Sequence, residues 1–99
     1  MAKHFFVYIL ASKRNGTLYV GVTANLPTRI SIHREDIVDG FTRRYGVHRL
    51  VWFEWLEYAE PAIRREKQLK KWNRAWKIQL IEQLNPRWDD LYETLDLRT

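Results

Sequence analysis

The segment that most limits the fold is Phe5-Phe6-Val7-Tyr8-Ile9-Leu10, an unbroken apolar run of strand-forming residues. A strand of this kind buries both faces, so it belongs in the middle of a sheet with other elements above and below. Even extended to Ala11, the run is too short to cross a bilayer as a helix, and it carries no signal-peptide cleavage region. Ser12-Lys13-Arg14-Asn15-Gly16 follows, and Asn-Gly is a strong turn signal. Thr17 to Val22 then reads as a second strand, which makes the pair an antiparallel hairpin.

Further on, Thr23-Ala24-Asn25 offers N-cap candidates and Pro27 suits a first helical turn. A helix is expected to about Val38, with Leu26, Ile30, His33 and Ile37 on one face and Gly40 as its stop. Gly40 to Arg49 reads as a basic loop, and Leu50 to Tyr58 as a third strand rich in aromatics. A long helical region from about Pro61 to Leu84 is expected to bend or break near Asn73. Asn85 and Pro86 fit the N-cap and first position of a short last helix, with Asp89 and Asp90 where the helix dipole favours acids. The order is β-β-α-β-α-α-α, a small α+β layered fold with helices packed on three strands. At 99 residues, without a repeat or a low-complexity linker, one domain over residues 1–99 is expected.

Charge divides the chain unevenly. It has 17 Lys and Arg against 12 Asp and Glu, for a net charge of +5. From Arg64 to Lys77 there are seven basic residues against Glu66 alone, so this one stretch exceeds the whole surplus. The residues at 64, 67, 71 and 74 follow helical steps and predict a continuous basic stripe suited to a phosphate backbone. Such stripes are also ordinary solvated helix faces. Zero cysteine excludes a disulfide scaffold, thiol catalysis and a cysteine-ligated zinc site.

Three groups of residues stand out chemically. Tyr8 and Tyr19 sit on adjacent strands, and Gly21 shares the face of Tyr19, where a glycine marks the close approach of a ligand or another chain segment. Arg29 and His33 are four apart on one helix and point the same way. A guanidinium suits a phosphate fork, whereas a histidine on an apolar face is commonly a satisfied core residue. Glu66 lies on the apolar face of its helix, so it either pairs with Lys70 one turn on or presents a carboxylate to a hard cation. Trp72 and Trp76, one turn apart in the basic segment, could stack on bases but read more readily as core or staple residues.

In order along the chain, Val7-Tyr8-Ile9-Leu10, Leu18-Tyr19-Val20-Gly21-Val22-Thr23, Arg29, His33 and Glu66 resemble the signature of the GIY-YIG nuclease domain. Gly40-Phe41-Thr42, Tyr45-Gly46, Arg65 to Trp72 and Asn85-Pro86-Arg87-Trp88 are similar to stretches of its small stand-alone bacterial members. The first triplet reads Val-Tyr-Ile where the family has Gly-Ile-Tyr, and Asp89 stands where many members carry an Asn. The resemblance implies a three-stranded antiparallel sheet flanked by helices and metal-dependent cleavage of nucleic acid, DNA foremost, in the cytoplasm. It implies that Tyr8 and Tyr19 position or deprotonate water, Arg29 stabilises phosphoryl charge, His33 assists proton transfer or holds a phosphate, and Glu66 binds Mg²⁺ or Mn²⁺. Gly21, Thr42, Arg43, Arg44, Tyr45, Arg64, Lys67, Lys70, Lys71 and Arg74 are the expected nucleic-acid contacts. Two rivals use the same stripe: a nucleic-acid binding module that keeps the fold without catalysis, and a domain that binds an acidic protein.

Overall fold

The structure is a computed structural model and describes residues 4–34 and 45–95. Strand β1 (Phe5–Ala11) and β2 (Leu18–Thr23) form the expected hairpin, with Asn15 in the left-handed region at φ 58° in the turn. Helix α1 follows (Leu26–Arg34), then β3 (Arg49–Leu56), α2 (Ala59–Lys71), α3 (Arg74–Leu84) and a 3₁₀ turn at Leu91–Thr94. The sheet is antiparallel, in the order β2-β1-β3. The apolar run is therefore the central strand, and residues Val7 to Ala11 are all buried.

Alternation along β1 sorts the core into two layers. Val7, Ile9 and Ala11 join Val20, Val51, Ala62, Leu69, Ile81 and Trp88 on the side covered by α2 and α3. Tyr8 and Leu10 face the other way and pack with Leu26 and Ile30 of α1, Val47 and Leu50. No helix among the described residues is long and apolar enough to cross a membrane.

Several boundaries differ from those expected. The expected helix beyond Arg34 and the first half of the Gly40–Arg49 loop, including Thr42, Arg43 and Arg44, lie outside the described residues. Tyr58 is not in β3; it is the extended residue that precedes α2, which tolerates Pro61 because it falls in the first turn. The long helical region is broken into two. Trp72 and Asn73 are both extended, and Asn73 Oδ1 accepts the Trp76 N–H at 2.9 Å as the cap of α3. Asparagine is good at this because its short amide satisfies a helix-end N–H.

The stretch after α3 departs furthest from expectation. Asn85 caps no last helix; it closes α3, donating its N–H to the Ile81 carbonyl. Its side chain serves β3 instead. Ile9 lies opposite Trp52 and Leu10 opposite Leu50, so Val51 is the extra residue of a β-bulge. Asn85 Nδ2 donates to the Val51 carbonyl at 3.1 Å, and Asp90 Oδ1 accepts the Leu50 N–H at 3.2 Å. Those two side chains thus satisfy backbone groups that the bulge leaves off the ladder. Asn85 also holds both the N–H and the carbonyl of Asp89, closing a tight loop. That loop buries Trp88 completely at φ 59° and aims its indole N–H at Glu82, 2.7 Å away. Asp90 does cap a turn, but of four 3₁₀ residues.

Candidate active site

The sheet register brings the tyrosines together. Tyr8 lies opposite Gly21 and Leu10 opposite Tyr19, so Tyr8 and Tyr19 are diagonal neighbours on one face, with ring centroids 6.4 Å apart. A side chain at position 21 would run into the Tyr8 phenol. The close approach that Gly21 marks is therefore made by Tyr8 itself.

Helix α1 completes the group. Asn25 Oδ1 accepts the Thr28 N–H at 3.2 Å and fixes the helix start, while Leu26 and Ile30 seat it on the Tyr8 face. One turn separates Arg29 from His33, and both reach the phenols. Tyr8 Oη and His33 Nε2 share a hydrogen bond of 3.1 Å, and Arg29 Nε donates to Tyr8 Oη at 3.5 Å. The His33 ring also lies 5.3 Å from that of Tyr19. The hydrogen bond to Tyr8 holds the Arg29 guanidinium above its ordinary pKa, against the opposing effect of burial, and Tyr19 adds to the rise. A donor-only guanidinium thus lies against the Tyr8 phenol oxygen, with Tyr19 close enough to add to its stabilisation.

Accessibility separates the four. Tyr8 and His33 are buried, whereas Tyr19 and Arg29 are partly open to solvent. A ligand arriving from solvent meets Tyr19 and Arg29 first.

Glu66 comes from the opposite layer. It lies on α2 between Ala62 and Leu69, all three of them buried. The expected ion pair with Lys70 forms, but it does not draw the carboxylate outward: the Glu66 side chain is 12% exposed and that of Lys70 53%. Lys70 engages Oε2. Among the described residues no three His, Cys, Asp or Glu side chains gather as a metal cage. A lone buried carboxylate still fits a hard divalent ion as one oxygen donor, when water and a phosphate supply the others.

The basic stripe is not continuous. Arg74 belongs to the next helix and turns its guanidinium onto the carbonyls of Asn15 and Gly16 in the β1–β2 turn. Arg64 lies 3.7 Å from Glu60, with both side chains well exposed. Arg65 pairs with Glu54 at 2.9 Å and lies over the Trp72 ring. Lys67, Lys71 and Tyr45 are exposed. Trp76 is no core residue either: it is 54% exposed. Asn85 and Asp90, which anchor β3 beside Leu10, are the supporting residues that sequence reasoning missed. Only the bulge reveals their task.

Comparison with known proteins gives one answer. Residues 4–79 match the family model described as the GIY-YIG catalytic domain. The chain is 36% identical over 92 residues to the UPF0213 protein CPE1444 of Clostridium perfringens, covering 93% of this chain and 98% of that one. It is 37% identical over 87 residues to a UPF0213 protein of Syntrophus aciditrophicus, covering 87% and 97%. The solution NMR structure of the UPF0213 protein BH0048 from Bacillus halodurans shares 30% identity, covers 97% of this chain and 98% of that one, and superposes with a TM-score of 0.55. With tyrosines, arginine and histidine gathered on a β-β-α-β frame of this kind, the chain belongs to the GIY-YIG nuclease-domain family.

Proposed function

We propose that the protein is a metal-dependent endonuclease that hydrolyses phosphodiester bonds in DNA, acting as one domain over residues 1–99 in the cytoplasm, in repair or recombination. The observation that carries this reading is Arg29 hydrogen-bonded to the phenol that His33 also holds. A phosphate entering from solvent pairs with Arg29, which suits its charge and its fork of donors. Tyr19 meets the attacking water. As its phenolate, Tyr19 would accept the water proton as the oxygen bonds to phosphorus. The P–O bond to the departing strand end then breaks, and that oxygen takes a proton from solvent. Tyr8 and His33, buried behind, fix Arg29 and Tyr19 in that geometry. Glu66 would hold Mg²⁺ or Mn²⁺, which when bound supplies Lewis-acid neutralisation of the phosphate and the leaving oxygen. Lys67, Lys70 and Lys71 would contact the phosphate backbone.

The Glu66–Lys70 pair favours a second reading, a binding module that has given up catalysis. The separating experiment is cleavage of duplex, single-stranded and branched DNA with Mg²⁺ or Mn²⁺. Glu66→Gln and Tyr19→Phe are each expected to slow cleavage by about a hundredfold or more while DNA binding persists. Cleavage by Glu66→Gln at the wild-type rate would sink the metal assignment. Salt-sensitive binding without any Glu66-dependent cleavage would establish the module.

A further inference from the structure

We infer that the outer face of α3, centred on Trp76, holds an unpaired nucleobase, so that single-stranded polynucleotide is a ligand of this protein; the inference rests on the nucleic-acid reading above. Trp76 is the largest apolar side chain of α3 and more than half of it faces solvent. It meets Trp72 edge to face, with ring centroids 5.8 Å apart and planes at 88°. That arrangement leaves a ring face uncovered for stacking. Trp72, Trp76 and Leu80 line a cleft of about 260 Å³ together with Gln79 and Gln83. Its volume is below the range that suits drug-sized ligands and fits one flat group. A glutamine amide both donates and accepts, as the polar edge of a base requires.

The charge of the flanking sequence, with Lys70 already paired to Glu66, points to a polyanion as occupant. No acid stands between Glu66 and Glu82, whereas Lys67, Lys70, Lys71, Arg74 and Lys77 all do. Arg74 spends its hydrogen bonds on two neutral carbonyls, so its charge is not cancelled there. The same contact ties α3 to the turn that carries the exposed Lys13 and Arg14. Half-buried Lys77 feels burial and the nearby charge of Arg74, and both disfavour its charged form. A phosphate would relieve that crowding. An apolar peptide would not, and a paired base hides its faces in the duplex stack, so the fitting ligand is a strand with free bases.

The test is fluorescence anisotropy with a short labelled oligothymidylate and an abasic strand of the same number of phosphates. Stacking on one aromatic ring is worth about 1–3 kcal/mol, so Trp76→Ala should weaken oligothymidylate binding about 5- to 150-fold. Its salt slope should be unchanged, and Trp76→Phe should recover most of the loss. The abasic strand should bind wild type weakly and Trp76→Ala equally so. Equal oligothymidylate affinity for wild type and Trp76→Ala overturns the inference, as does an abasic strand that binds wild type as tightly as oligothymidylate. Sedimentation showing a wild-type dimer that Trp76→Ala dissolves also overturns it, because a second copy then covers the face. These outcomes are independent of cleavage, which is read separately with Glu66→Gln.

Discussion

One missing methyl group shapes the candidate site. Gly21 leaves the space in which the Tyr8 phenol lies, directly across the strand pair. Gly21→Ala forces that ring away from Arg29 and His33, because the added carbon and the phenol cannot share the space. Overpacking of this kind costs about 1–3 kcal/mol. Urea denaturation should record that loss, and the His33 ring signals should shift in NMR spectra. A variant as stable as wild type with unmoved His33 signals would mean that Tyr8 does not depend on the gap. The tyrosine pairing was legible in the sequence, because strand alternation dictates which residues share a face. The role of Gly21 was half legible: a glycine in a strand announces a close approach, but it does not say by what. Glu66 was legible as a helix-face residue between apolar neighbours, and its burial and its pair with Lys70 both occur together.

Among the elements, β3 depends on a segment that is neither strand nor long helix. Asn85 supplies the amide for the bulged Val51 carbonyl and holds the Asp89 backbone from both sides. Asn85→Ala leaves those buried groups unpaired, at a cost of about 1–3 kcal/mol. In chemical denaturation the midpoint should fall while the slope stays the same. An unchanged midpoint would show that water replaces the amide without penalty. Sequence grammar placed a break near Asn73 and a helix cap at Asn85; the break is there, with Asn73 as the cap, but Asn85 starts no helix. The reason is physical: a short amide takes whichever backbone donor or acceptor lies near, and the bulge that offers one exists only once β1 and β3 are paired. The break between α2 and α3 was visible for the same reason that the bulge was not, since its cause is local.

For the molecule as a whole, the sequence displayed the size of the basic surplus but not its arrangement. Arg64 and Arg65 have acidic partners, Lys70 has Glu66, and Arg74 is tied to a turn nearly sixty residues away in the chain. The cost of crowding falls on Lys77, whose pKa is lowered first by burial and then by Arg74. A cation whose folded pKa lies below its unfolded value costs stability while it is charged, and the cost fades as pH rises through that folded pKa. Lys77→Gln should therefore stabilise the protein at neutral pH, by no more than about 0.5 kcal/mol. Melting curves recorded from neutral pH upward should show the gain shrinking toward nothing. A gain that grows with pH would contradict the assignment. The β3 clamp has a consequence in time. Asn85 and Asp90 stand 34 and 40 positions beyond the bulge groups they satisfy. The ribosome therefore releases Tyr8, Tyr19, Arg29, His33 and Glu66 before it releases the residues that secure the sheet beneath them. During synthesis the site is therefore expected to reach its final geometry only after Asp90 has emerged.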